Sequence, residues 1–279
     1  MTAVRVRGLR KSYGAHEAVR GIDFEIESGE VFGLLGPNGA GKTTTVEILE
    51  GYREPDAGQV EVLGEDPRRA GGAWRERIGV VLQSGSIYPT LSVREILRVF
   101  AGYYAHPRAV DEVVQVVGLD EKGDAKVRTL SGGQKRRLDL GLALIGDPDL
   151  IFLDEPTTGF DPSARRTAWE TIRNLRELGK TILLTTHYLD EAEQLADRVA
   201  VMREGEIVRA GAPHELTSGA SEAEIRFRRN GEVIVERTSQ PTRRLNELTA
   251  AALARGEELD ELEVRRPSLE DVYLELTEE

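Results

Sequence analysis

Short, nearly unbroken apolar runs recur along the chain: EVFGLLG at 30–36, IGVVLQ at 78–83, LIFLD at 150–154, TILLTT at 181–186 and RVAVM at 198–202. A half-exposed strand alternates apolar and polar positions, so runs of this kind predict strands buried on both faces. Residues 3–9 and 17–26 also read as strands. Between the runs the period lengthens. KTTTVEILEG follows the first run and ends at Gly51, a natural helix stop. Helices are expected at about 162–178 and 188–196, and from Leu91 to about Ile145 the pattern is helical throughout. That stretch holds SVREILRVFAGYY, PRAVDEVVQVVG and a third helix opening near Ser131. Buried strands alternating with helices predict a layered α/β sheet, with the helical stretch inserted into it.

After about residue 218 the pattern changes. EIRFRRNGEVIVER sets two alternating runs around Asn230-Gly231, a pair suited to a two-residue hairpin turn. A helix at 241–254 and a strand near 259–265 follow. A last helix is expected with Ser268 as N-cap, Asp271 three residues on, and a stripe of Leu269, Val272, Tyr273 and Leu276. The expected division is therefore 1–218 for a main domain, its helical part about 88–147, and 219–279 for a small αβ accessory domain. A unit that small is marginal alone.

Composition narrows the function classes. With 37 basic and 49 acidic side chains the net charge is -12, which argues against broad electrostatic binding to nucleic acid or anionic lipid. There is no cysteine, so disulfides and thiolate metal sites are excluded and a reducing compartment fits. MTAVRVRGLRKSYG lacks the apolar core of a secretory signal, and no run reaches the roughly 18 apolar residues that span a bilayer. The expectation is a cytoplasmic protein whose membrane role, if any, comes through a partner.

The chemistry centres on GPNGAGKT, residues 36–43, which matches G-x-x-x-x-G-K-[ST] between an expected strand and an expected helix. Its glycines let backbone N–H groups curl around a phosphate, Lys42 reaches the β and γ oxygens, and Thr43 is placed to ligate Mg2+. LIFLD ends in Asp154-Glu155-Pro156. A carboxylate at the C-terminal end of a sheet strand faces the ligand crevice, so Asp154 is a candidate for Mg2+ and Glu155 for accepting a proton from water. Alone, such a pair reads as a solvated strand end; the phosphate loop upstream changes that reading. His187 ends TILLTT in the same way, whereas His16, His106 and His214 have no such context and read as surface residues. Gln83 ends IGVVLQ and is a candidate for Mg2+ or water, or an ordinary polar strand exit. Tyr13 is a candidate for stacking on adenine, or packs beside a hairpin.

A second glycine turn, LSGGQ, has Ser131 as N-cap of a helix carrying Leu138, Leu142 and Ile145 at helical spacing. Free N–H groups and the positive end of a helix suit a phosphate. Lys135, Arg136 and Arg137 are expected on that helix's solvated face. One ATP does not easily occupy both helix ends of one chain, which points to a second protomer.

Tyr13, GPNGAGKTT, Gln83, LSGGQ, LIFLDEP, GFDP and TTH occur in an order and at spacings that resemble the ATP-binding subunits of ABC transporters, over about residues 3–215. The resemblance implies an ABC-type P-loop ATPase fold: a RecA-like sheet core with an antiparallel β-subdomain and a helical subdomain. In that family two cassettes pair head to tail, so the LSGGQ turn of one copy closes on the γ-phosphate held by the other. Carried over, Tyr13 stacks on adenine. Gly36, Asn38, Gly39, Gly41, Lys42, Thr43 and Thr44 hold phosphates and Mg2+, and Gln83 senses Mg2+ and the membrane partner. Ser131, Gly132, Gly133 and Gln134 complete the partner's site. Asp154 holds Mg2+, Glu155 is the general base, His187 contacts the γ-phosphate and Asp161 crosses the dimer interface. Phe160 stands where the family commonly has leucine. With no catalytic position degenerate, two competent sites are expected in a homodimer.

A narrower likeness lies in TLSGGQKRRLDLGLALIGDPDLIFLDEPTTGFDPSARR, TTHYLDEAEQLADRVAVM and RPSLEDVYLELT, which resemble the daunorubicin-resistance type of exporter ATPase. That type works with a separate ABC-2 permease and implies export of a drug, lipid or glycan from the cytoplasmic face of the membrane. The competing reading is a soluble ABC ATPase acting on ribosomes or DNA. Such relatives tend to carry tandem cassettes, zinc-binding cysteines or a long coiled coil, and none of these is here.

Overall fold

The computed structural model describes residues 1–81, 88–218, 223–229, 232–265 and 273, which form two compact units, Met1–Ala210 and Gly211–Glu279. In chain order the first contains β1 (Thr2–Tyr13), β2 (His16–Glu27), β3 (Val31–Leu35), α1 (Lys42–Leu49), β4 (Ala57–Val62), α2 (Gly72–Arg75) and β5 (Ile78–Val81). It continues with α3 (Val93–Ala101), α4 (Val110–Val116), α5 (Gly132–Leu144), β6 (Leu150–Asp154), α6 (Pro162–Glu177), β7 (Thr181–Thr186), α7 (Leu189–Leu195), β8 (Arg198–Arg203) and β9 (Glu206–Gly211).

The apolar runs become the centre of a six-stranded sheet ordered β5-β6-β7-β3-β8-β9, in which β5 to β8 pair in parallel. Side chains alternate across the sheet, and both faces are covered. Ile151, Leu153, Ile182 and Leu184 pack under α3, α4, α5 and α6 in one cluster. Leu150, Phe152, Phe32, Leu34 and Leu183 pack on the other side against β1, β2 and α1. Each such side chain removed from water stabilises by about 1.5–3 kcal/mol, which is why these strands tolerate no polar alternation.

The second layer is the antiparallel sheet β2-β1-β4. Both arms of its hairpin are longer than the apolar pattern implies, because pairing continues to Tyr13 opposite His16. Strand β4 carries no sequence signal: AGQVEV is mostly polar and exposed, and it is extended because Val62 and Val60 pair with Val4 and Val6 of β1. In the helical stretch, Ser92 caps α3 in a reciprocal box with Glu95, and Ser131 caps α5 in the same way with Gln134.

The second unit contains α8 (Pro213–Ser218), β10 (Ala223–Arg229), β11 (Glu232–Thr238), α9 (Pro241–Arg255) and β12 (Asp260–Arg265), with an antiparallel sheet ordered β11-β10-β12. Arg244 of α9 holds both carboxylate oxygens of Glu236 at 2.6 and 3.0 Å, tying helix to sheet. The Asn230-Gly231 turn and the expected last helix, apart from Tyr273, lie outside the described residues.

Candidate active site

Strand β3 runs into the glycine turn and the turn into α1, whose N-cap Gly41 has φ 102°. A side chain there would place its Cβ 2.3 Å from the Ala18 carbonyl oxygen, and one at Gly36 would stand 2.3 Å from that of Met202. Only glycine permits this close a turn. Asn38 and Gly39 are exposed at its tip. Lys42 is 4% exposed and donates from Nζ to the Gly36 and Pro37 carbonyls at 2.8 and 3.1 Å. Burial pushes its ammonium pKa down, and the neighbouring Glu155 and Asp154 carboxylates oppose that shift. Thr44 is half-buried behind Thr43.

Asp154 ends β6, buried, beside the loop. Thr43 Oγ1 lies 3.4 and 3.5 Å from its two oxygens, and Thr185 Oγ1 of the adjacent β7 donates to Oδ1 at 2.6 Å. Thr185 also accepts from the Glu155 N–H at 3.0 Å, so one hydroxyl fixes both acidic residues. Glu155 has φ 45°, in the left-handed region that non-glycine residues avoid. Its side chain faces Lys42 Nζ at 3.7 Å and His187 Nδ1 at 3.4 Å, and accepts from Thr158 Oγ1 at 3.0 Å. The His187 contact lacks hydrogen-bond geometry and leaves Nδ1 without a hydrogen-bond partner among the described residues.

The structure thus brings Lys42, Thr43, Asp154, Glu155 and His187 together at the C-terminal ends of β3, β6 and β7. Other candidates make their contacts elsewhere. Ser131 and Gln134 satisfy one another through the capping box, Ser131 N–H to Gln134 Oε1 at 2.9 Å and Gln134 N–H to Ser131 Oγ at 3.3 Å, while Gly132 is exposed beside them and Gly133 half-buried. Asp161 caps α6 by accepting from the Ser163 and Ala164 N–H groups, both at 2.9 Å. Tyr13 is 41% exposed, with the Arg53 guanidinium 5.1 Å and Lys11 Nζ 5.9 Å from its ring centre. Gln83 lies outside the described residues.

One expectation is corrected. Arg136 is not on a solvated face: it is 8% exposed and donates to the Asp154, Pro156 and Glu155 carbonyls at 2.9, 3.0 and 3.4 Å. Arg137 is half-buried against the Gly118 and Val117 carbonyls, and only Lys135 is exposed as expected. The missed signal was spacing. Arg136 stands four residues before Leu140 and eight before Leu144, both buried, so it lies on an inward stripe of α5. Thr185 and Glu191 were also missed. Fully buried Glu191 accepts from Thr157 Oγ1 at 2.7 Å and Trp169 Nε1 at 3.0 Å, fixing the chain just past Glu155. Burial pushes its carboxyl pKa up, against the hydrogen bonds that pull it down.

The donor set suits a hard cation. Thr43 and Asp154 offer oxygen only, and no cluster of three acidic, histidine or cysteine side chains competes among the described residues. A magnesium ion held by few protein oxygens and by phosphates fits such a pair. Among the described residues, no helix is long and apolar enough to cross a membrane.

Comparison with known proteins bears on the same crevice. Residues 19–158 match the family model described as ABC transporter. The Nod factor export ATP-binding protein I of Burkholderia orbicola is 50% identical over 216 residues, covering 75% of this chain and 71% of that one. Its namesake from Rhizobium sp. (strain N33) is 41% identical, covering 99% and 97%. Among solved structures, an ATP-binding cassette of an ABC transporter in its ADP conformation aligns with TM-score 0.68 at 25% identity, over 77% of this chain and 92% of that one. An ATP-binding subunit of an ABC transporter aligns with TM-score 0.72 at 24% identity, over 99% of both, and supports the fold. Phosphate loop, carboxylate-tipped strand and matching relatives converge on one conclusion: the chain belongs to the ABC transporter family, as an ATP-binding, ATP-hydrolysing subunit.

Proposed function

We propose that this chain powers export through a separately encoded transmembrane permease, working as a pair of copies on the cytoplasmic face of the membrane. What carries the reading is the convergence of Lys42, His187 and Thr158 on the single carboxylate Glu155, beside the Thr43–Asp154 pair. Relatives named for Nod factor export support the exporter class. The daunorubicin-resistance subtype and a drug, lipid or glycan cargo rest on the sequence resemblance. Cargo choice belongs to the permease.

In this reading the N–H groups of residues 36–44 and the Lys42 ammonium hold the β- and γ-phosphates, and Tyr13 stacks on adenine. Thr43 and Asp154, with Gln83, hold Mg2+, which when bound neutralises charge developing on the phosphates. Glu155 takes the proton of the attacking water. Lys42 and His187 stabilise the charge that develops on the γ-phosphate. Ser131, Gly132, Gly133 and Gln134 of one copy close on the nucleotide of the other, with Asp161 at the interface. Residues 219–279 form an accessory domain.

Glu155→Gln is expected to bind ATP as the parent does and to lose roughly 10²- to 10⁴-fold in phosphate release, the usual range for a general base. Parent-like turnover in that variant overturns the assignment of Glu155. Pull-down from mildly solubilised host membranes tests the coupling: a near-stoichiometric partner with several apolar spans is expected. A ribosomal or DNA-repair partner alone would leave the ATPase standing and remove the exporter.

A further inference from the structure

Three consecutive carbonyls, those of Asp154, Glu155 and Pro156, lie 2.9, 3.4 and 3.0 Å from the guanidinium of Arg136. In an extended strand, successive carbonyls point to opposite sides, so one side chain cannot reach three in a row. Here the left-handed backbone of Glu155, φ 45°, turns its peptide and makes them converge. That conformation is strained for a residue with a Cβ, and gathering three carbonyl dipoles adds repulsion. A planar fork of fixed N–H donors is the side chain best shaped to offset both. Burying it is itself costly, and burial lowers the Arg136 pKa against the pull of Asp139, Asp154 and Glu191. A helix that only needed to pack would carry leucine there, as it does at Leu140 and Leu144.

We propose that Arg136 is a positioning residue for Glu155: by gripping the carbonyls on either side, it holds the carboxylate in the left-handed turn that aims it between Lys42 and His187. The inference rests on the reading of Glu155 as the general base. Thr185 accepts from the N–H of the same residue at 3.0 Å. Arg136 therefore supplies the carbonyl half of one clamp. Because it rides on α5, it also links the helix opening at Ser131 to the chain's own carboxylate. Without it the turn relaxes toward extended backbone and Glu155 swings away from its neighbours.

The test compares Arg136→Met and Arg136→Lys with the parent and with Glu155→Gln, as full-length proteins. It reads steady-state phosphate release, binding of a fluorescent ATP analogue, and single-turnover hydrolysis. Arg136→Met should lower kcat by about 10- to 100-fold, the scale of a misplacement near 1 Å, with analogue affinity and KM within about 3-fold of the parent. Arg136→Lys keeps the charge but reaches fewer carbonyls, so its kcat should fall between the two; it decides the matter if the Met variant does not fold. In single turnover, adding Arg136→Met to Glu155→Gln should change the rate by less than about 3-fold, because residues acting through one group are not additive. Parent-like kcat, a defect confined to KM and affinity, or losses that multiply in the double variant would each overturn the proposal. If Glu155→Gln itself turns over normally, the reading of Glu155 fails first and the clamp has nothing to position.

Discussion

At the scale of single residues, the candidate site depends on side chains that hold its acidic residues in place. Thr185 is completely buried and serves two acidic neighbours at once, donating to Asp154 and accepting from the Glu155 N–H. Thr185→Val keeps the shape and removes both bonds. Leaving a buried N–H without its acceptor costs about 1–3 kcal/mol, so urea unfolding should shift by that amount. Turnover should also fall, on the order of 10-fold, as Asp154 and Glu155 lose their common tether. A stable variant with normal phosphate release would show that β6 alone fixes the pair. Lys42, Asp154, Glu155 and His187 were legible in the sequence because each sits at a motif or a strand end. Thr185, Arg136 and Glu191 were not. Their roles arise from contacts between segments 18 to 34 residues apart, and no local pattern marks which polar residue on an inward face meets a carbonyl or a hydroxyl.

At the scale of elements, caps and pairing partners decide what propensity leaves open. The α3 cap is a reciprocal box: Ser92 Oγ accepts from the Glu95 N–H at 3.2 Å while Glu95 accepts from the Ser92 N–H at 2.6 Å. Ser92→Ala should destabilise by about 1 kcal/mol, seen as a lower denaturation midpoint, with kcat per folded molecule unchanged because, among the described residues, the polar side chains of α3 pair with Asp111, Asp124 and Lys126 and not with Asp154 or Glu155. A loss of turnover at unchanged stability would place α3 in the catalytic path instead. The apolar strands and the long helices could be read from period alone, since burial on both faces of a sheet leaves a run and burial on one side of a helix leaves a stripe. Strands β4 and β9 could not. Each is an edge strand with few apolar positions, made by its neighbour's hydrogen bonds.

For the whole molecule, the core's ionisable groups set how stability depends on pH. Asp139, on α5, has its carboxyl pushed up by burial from 3.8 to about 6, with Arg136 pulling against that shift. The folded state then holds the proton more tightly than the unfolded one. This contribution to stability is complete below about pH 4 and is lost as pH rises through about 6. Asp139→Asn removes that loss. Denaturant midpoints between about pH 4 and 7 should therefore decline less steeply in the variant than in the parent, and equal slopes would mean the carboxyl titrates normally in the fold. The sequence by itself determined the layered sheet, the phosphate loop and the acidic strand end, because motif spacing and hydrophobic period are local and survive in one dimension. Only the tertiary structure decided that Glu155 sits in a left-handed turn, that Arg136 points inward against its carbonyls, and that one threonine on β7 donates to the Asp154 carboxylate and accepts from the Glu155 N–H. These depend on which strands become neighbours and on which carbonyls converge, and long-range packing alone settles both.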